Sequence, residues 1–287
     1  MYVASNFREF LLTSPYGIFV VIGLVFVVVF LRYVVIAGPA YLVFWKWLRK
    51  RLHHRRIQQR FPKPKFLQQE FLWSLSTFVI FSLMGGITFL LKKHGYTLHY
   101  DNISDYGWSY FVVSLVLMIL VHDAYFYWTH RMMHHKSLFR YFHRVHHLSH
   151  NPSPWAAFSF HPLEAVVEAG IIFVFSLTIP HHLSALLIFL IFMTFMNVLG
   201  HLGYEMYPRG FSKHAIGQWL TTSTHHNMHH HRGKENYSLY FTWWDRWCGT
   251  LHHDYHNTYD TVTHRPKAEE SSEDPSPVSN TSPARTA

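Results

Sequence analysis

Long apolar stretches alternate with polar, histidine-bearing ones along this chain of 287 residues. The first apolar stretch covers 16–37, with Arg32 its only charge, and Gly38-Pro39 behind it predicts a break. About 20 helical residues cross the ~30 Å hydrocarbon core of a bilayer, so this stretch predicts a spanning helix. It is longer than the apolar part of a cleaved signal peptide and lacks that segment's basic start. The stretch 71–91 carries no charge and predicts a second span. After a polar loop over 92–107, a third run is apolar from Trp108 to Val121 and continues helically through His122, Asp123 and Trp128 to His130. A fourth region has two arms, 169–179 and 183–199, separated by Pro180-His181-His182. It predicts a helical hairpin that enters and returns on one face; two full, tilted spans would return the chain to the same face. Residues 266–287 are rich in Ser, Pro and Glu without an aromatic residue, which predicts a disordered tail.

Charge orients these elements. Lys and Arg crowd the segment 46–65 between the first two spans. The positive-inside rule places that loop in the cytoplasm and accounts for much of the net charge of +9 without nucleic acid as a partner. The second span then leads out and the third back in, so His130 through His161 lie on the cytoplasmic side. The hairpin returns the chain there, so His201 and the cluster at 225–231 join them. The expected fold is an all-α membrane protein: about three transmembrane helices plus a helical hairpin, with a cytoplasmic-side helical cap that gathers the histidines. Its organisation is N-terminal membrane helices over 1–107 and a second unit over 108–256.

Composition sharpens this picture. Hydrophobic residues are 49% and charged residues 14% of the chain, yet mean hydropathy is only +0.01, because 26 histidines offset the apolar spans. A single cysteine excludes a disulfide scaffold and cysteine-rich zinc or iron–sulfur ligation. Three histidine clusters have fixed spacing: His130 and His134; His143, His146 and His147; His226, His229 and His230. Intervals of three and four residues share a helix face, so each cluster is expected to aim its rings at one point. Neutral imidazole is the commonest metal ligand. Eight converging rings exceed what one ion takes and suit two. Isolated histidines such as His53 are read as ordinary polar residues.

The residues also carry a resemblance. The stretch 122–135 (HDAYFYWTHRMMHH) resembles the first histidine box of the fatty acid hydroxylase/sterol desaturase superfamily, and the second and third boxes follow in order. The stretch 236–250 (NYSLYFTWWDRWCGT) resembles the aromatic segment after the third box, while FHPLE at 160–164 and NVLGH at 197–201 resemble intervening segments. The likeness covers about 108–256 and is nearest the sterol desaturase-type branch. Ser238 departs from the glycine common after Asn-Tyr, a change that touches a turn and no ligand.

The resemblance implies a catalytic domain over 108–256 and a non-haem di-iron oxidase of membrane lipids, with two irons as cofactors and O₂ as co-substrate. The catalytic and metal-ligating residues it implies are His130, His134, His143, His146, His147, His226, His229 and His230. Members of this kind often add a histidine from outside the boxes, for which His201 is the best candidate, followed by His225 and His122. Asp123 and Glu205 are candidates to orient a ring, with a structural or interfacial role as the equal alternative. Redox metal chemistry suits an unactivated C–H bond, which zinc cannot attack, although zinc can fill such a site in purified protein. Desaturation and hydroxylation share the first hydrogen abstraction, and placement of the carbon decides between them. The chain has no dinucleotide fingerprint and no cytochrome segment, so electrons come from a partner such as cytochrome b5 or a ferredoxin-type protein. Basic residues of the 46–65 loop, with Arg131, Arg140, Arg144 and Arg232, suit either an acidic electron carrier or anionic lipid headgroups. Trp155 and Phe158 are candidates to line a lipid access path. The expected function is therefore oxidation of a sterol or sterol-like lipid by a multi-pass protein of a bacterial inner membrane or the endoplasmic reticulum. A fatty-acyl/sphingolipid or carotenoid hydroxylase is the alternative within the enzymes. A zinc-binding transporter or sensor is the alternative outside them, and it would place ligands near the membrane midplane.

Overall fold

The computed structural model describes residues 2–267, so most of the tail expected at 266–287 lies outside the described residues. Every apolar stretch is helical. α1 (Tyr2–Thr13) leads into α2 (Gly17–Ala40), α3 (Pro64–Lys93) and α4 (Gly107–Met133). The short α5 (Phe139–Phe142) precedes the pair α6 (Pro162–Thr178) and α7 (Leu183–Gly200). Then come α8 (Ser223–Arg232), α9 (Trp243–Trp247) and α10 (Tyr255–Thr263). Among the described residues four helices are long and apolar enough to cross a membrane: Gly17–Trp47, Pro64–Lys93, Gly107–Met133 and Leu183–Gly200.

Two expectations are corrected. The first helix does not break at Gly38-Pro39 but continues as a π-helix over Tyr41–Trp47. Proline removes one N–H from the ladder, and the wider register beyond it, with Leu48 N bonded to Val43 O at 2.8 Å, keeps the chain helical. The first arm of the hairpin starts at Pro162 rather than at 169, with the His161 ring accepting a capping bond from Leu163 N at 3.3 Å. Glu164 and Glu168 interrupt the apolar run and hid this first turn from a hydropathy reading. Both carboxyls point inward: Glu164 is buried and Glu168 lines an interior cavity.

The hairpin crosses the full depth of the helix layer. Its tip, β2 (His181–His182), pairs in parallel with β1 (His99–Tyr100) of the α3–α4 loop. That loop lies at the end of α3 and α4 opposite the histidine boxes, so both arms of the hairpin run the length of the helix layer, although only α7 of the two is long and apolar enough to cross a membrane. Around the layer α2 packs on α3 and α7, α3 on α6, and α4 on both α6 and α7. These five helices ring a cavity of about 810 Å³. Small residues allow close contact: a Cβ on Gly86 of α3 would lie 2.8 Å from Ile22 of α2.

Polar bonds fasten the cap to the ends of these helices. Tyr33 Oη donates to Trp155 O at 2.9 Å, Trp45 Nε1 to Leu202 O at 2.8 Å, and Asn197 Nδ2 to Ala157 O at 2.6 Å. Glu70 of α3 accepts from the Ser153 hydroxyl. Trp155 is therefore a packing residue among Tyr33, Tyr41 and Phe71 and does not line the cavity, whereas Phe158 does.

Candidate metal centre

The last turn of α4 carries His130 and His134, four residues apart, with ring centroids 5.1 Å apart. The second cluster is not on one α-helix. His143 ends α5, and His146 and His147 sit on a 3₁₀ turn. The third cluster occupies α8, whose first turn is capped by the Thr222 hydroxyl accepting from His225 N.

The structure brings nine histidines into two groups. His130, His134, His143, His147 and His229 form one; His146, His201, His226 and His230 form the other. The expectation that each cluster aims at a single point is therefore corrected for the second and third. Adjacent residues on a helix point about 100° apart, so the neighbours His229 and His230 turn to different groups while His226 and His230, at i and i+4, share one. His146 and His147 divide in the same way. His201 comes from the end of α7, outside the clusters.

Within each group the ring nitrogens face one another. In the first, Nε2 atoms lie 2.9 Å apart for His130 and His143, 3.0 Å for His147 and His229, and 3.1 Å for His134 and His229. In the second, His201 Nε2 lies 3.3, 3.0 and 3.1 Å from those of His146, His226 and His230. The far side of several rings fixes their tautomer. His130 Nδ1 bonds to Tyr237 O at 2.8 Å, His229 Nδ1 to Glu235 O at 2.7 Å, and His201 Nδ1 to Asn197 O at 2.7 Å. A carbonyl only accepts, so these Nδ1 atoms carry the proton and their Nε2 atoms present bare lone pairs. Bare lone pairs gathered at about 3 Å repel unless a cation lies between them. Such separations are those of imidazole nitrogens sharing one ion at ~2.0–2.1 Å. The donor set therefore fits two metal ions.

Electrostatics agree with neutral rings. Burial, reinforced by the neighbouring rings, pushes His147 down to about 3; burial pushes His201 down to about 4, against its bond to Asn197 O. Burial first, then repulsion between rings, holds His143, His146, His226, His229 and His230 well below the usual histidine range.

Carboxylates support these rings in ways the sequence did not assign. Glu164 Oε1 lies 2.5 Å from His143 Nδ1, both side chains buried. It is the carboxylate that orients a ring, and its position in an apolar helix was the available signal. Glu164→Leu is expected to lower metal affinity about 10- to 100-fold with the helices intact. Metal titration of the purified variant checks this.

Asp123 and Glu205, the expected ring-orienting candidates, do other work. Asp123 accepts from Tyr240 N at 3.0 Å, Phe241 N at 3.2 Å and Trp243 Nε1 at 2.7 Å, holding the aromatic segment against α4. Glu205 accepts from Thr224 N and Tyr207 N and so caps α8, with burial raising its carboxyl above the ordinary range. Asp123→Ala should therefore destabilise the fold by roughly 3 kcal/mol or more, because three donors lose their acceptor. Thermal unfolding of the variant in detergent measures it.

His225 and His122 join neither group. His225 Nε2 bonds Asp245 Oδ2 at 3.1 Å, and Asp245 also accepts from Tyr237 N and Ser238 N. Burial alone would raise the Asp245 carboxyl, but these bonds and His225 bring it below its ordinary value. His122 Nδ1 lies 2.8 Å from Tyr240 Oη, and the ring lines the cavity. Ser238 in place of glycine puts no strain on the backbone, since the left-handed residue there is Asn236, with φ 60°.

Fold and centre together define an all-helical membrane protein with paired histidine groups at one end of a helix ring. Residues 115–250 match the fatty acid hydroxylase family. A Delta(7)-sterol 5(6)-desaturase of Gibberella zeae is 30% identical over 218 residues, 76% of this chain and 64% of the relative. Another of Aspergillus fumigatus is 31% identical over 209 residues, 65% of this chain and 63% of the relative. Lathosterol oxidase of Rattus norvegicus is 29% identical over 196 residues, 66% of this chain and 64% of the relative. The chain thus spans slightly less than two thirds of the length of these relatives. No solved structure matches it. The family match and these relatives together support a place on the sterol desaturase branch of the fatty acid hydroxylase/sterol desaturase superfamily.

Proposed function

We propose that this protein is an O₂-dependent, di-iron oxidoreductase that desaturates or hydroxylates a sterol or sterol-like membrane lipid. The observation that carries the proposal is the pair of histidine groups, five and four rings, whose Nε2 atoms converge beside one end of a large apolar cavity. His130, His134, His143, His147 and His229 hold one ion; His146, His201, His226 and His230 hold the other. When bound, the two irons supply the oxidising chemistry that an unactivated C–H bond requires, with O₂ as oxidant and electrons from an external carrier.

The chain's own residues hold the rest in place. Carbonyls of Tyr237, Glu235 and Asn197 fix the ring tautomers, and Glu164 orients His143. Phe126 and Phe160, both lining the cavity, pack 5.0 Å from the His130 ring and 5.2 Å from the His146 ring, so they bring the lipid beside the centre and keep water away. The groups sit at the end of the spans nearest the basic loop, which supports a cytoplasmic-side centre under the positive-inside rule and argues against a midplane transporter site. Docking of an acidic electron carrier there falls to a reduced set of cations. Arg56 is buried against Phe61 and Trp45, Arg131 donates to Tyr127 Oη, and Arg232 pairs with Asp254 at 3.8 Å.

The direct test is to supply a Δ7-sterol to membranes containing the protein and follow its mass. Loss of two hydrogens or gain of one oxygen, dependent on O₂ and reductant, is the expected result. An unchanged sterol alongside a hydroxylated acyl lipid would overturn the substrate assignment.

A further inference from the structure

The polar residues lining the cavity are not scattered. Arg32, His122, Glu168 and Asn197 lie at its histidine end, while Lys92, Lys93, His99 and Asp101 lie at the opposite mouth. Between them the wall is formed by residues such as Val21, Leu24, Met84, Ile171, Leu186 and Met193. Thr88, the polar exception in that wall, donates to Met84 O at 3.0 Å. The volume of about 810 Å³ is within the roughly 300–1,000 Å³ of small-molecule sites.

Arg32 Nε, Glu168 and His122 Nε2 at the inner end are not used by the protein itself, and the last two sit on the neighbouring helices α6 and α4. Glu168 lies one helical turn beyond Glu164 on α6, and its carboxyl has no hydrogen-bond or ion-pair partner among the described residues. His122 spends Nδ1 on Tyr240 Oη, and its Nε2 has no partner among the described residues. An ionisable side chain facing an apolar membrane cavity is costly unless something binds it. A lipid acyl chain inserted tail first would bring a methyl group to this end and leave both groups unsatisfied. An alcohol both donates and accepts, and matches a carboxyl beside an imidazole.

We propose that Glu168 and His122 anchor the hydroxyl of a sterol whose rings lie at the histidine end of the cavity and whose tail runs toward the opposite mouth. The inference rests on the reading of the chain as a sterol oxidase and adds the orientation and the positioning residues. In a 3-hydroxysterol the carbon that bears the oxygen is two carbon–carbon bonds from C5, a carbon of the bond that the 5(6)-desaturase relatives are named for. Holding the oxygen beside α4 and α6 therefore holds that part of the ring system near the histidines.

The test compares binding of a tritiated Δ7-sterol and its 3-methyl ether to the purified, metal-loaded protein, with metal content measured in the same samples. The protein should prefer the free alcohol by about tenfold, as expected for a buried hydrogen bond to a charged or strongly polar group. Glu168→Leu should bring that preference to about twofold or less with metal content unchanged, and Glu168→Gln should keep most of it. A preference retained in Glu168→Leu overturns the anchor. Equal binding of alcohol and ether by the unaltered protein also overturns it, yet leaves the sterol reading standing. Binding of neither, with the metals in place, removes both. The ether comparison on the unaltered protein does not depend on whether a variant folds.

Discussion

His201→Ala is expected to lower the metal content from about two ions per chain to about one and to eliminate turnover. His201 is the hub of the smaller group, its Nε2 lying within 3.0–3.3 Å of three other ring nitrogens. Its loss leaves three rings at that position, while the five rings of the other group are untouched. The effect on affinity should exceed the ~10- to 100-fold that outer partners of a ligand are worth. His134→Ala should cost less metal, because four rings remain in its group. His53→Ala, in the basic loop, should change neither metal nor activity. Elemental analysis and sterol turnover on the three variants give the comparison, and an active His201→Ala protein with a full metal complement would contradict the assignment.

The metal-free protein should lose stability steeply as pH falls below about 6.5, the ordinary histidine value. Burial holds His147 near 3 and His201 near 4 in the folded chain. Above about 6.5 both folded and unfolded chains carry neutral rings, so the effect vanishes there. Below it the unfolded chain binds protons that the folded chain refuses, so unfolding is favoured progressively until pH reaches the folded values. Each such ring contributes a slope of about 1.4 kcal/mol per pH unit. Because nine rings are gathered in two groups, the slopes reinforce one another. Thermal midpoints of chelated protein between pH 7.5 and 5 should fall throughout the acid half of that range; a flat profile would mean that the rings are already hydrated or charged when folded.

Much of this was legible in the sequence because the relevant signals are local. The charge-free stretch inside α3 and the His130/His134 spacing at the end of α4 follow directly from helix geometry. The parity of spans, set by the basic loop, placed His201 and 225–231 at the end that carries the first two clusters, and the structure gathers them there. What was hidden depends on three-dimensional contacts. The division of His146 from His147 arises from a 3₁₀ turn whose orientation no spacing rule supplies. Glu164 and Glu168 shorten the apparent hairpin arm in a hydropathy reading, although they face inward. Asp123 and Glu205 are near the histidines in sequence, yet the backbone N–H groups of Tyr240 and Phe241 with the Trp243 indole claim the first, and the start of α8 claims the second.

The most direct measurement is the metal content of protein produced with iron supplementation and purified without chelators or nickel columns, with His146→Ala alongside. About two irons per chain in the unaltered protein, and a clear loss in the variant, is the result this account predicts. Folded protein without metal, or zinc that iron cannot replace, would contradict it.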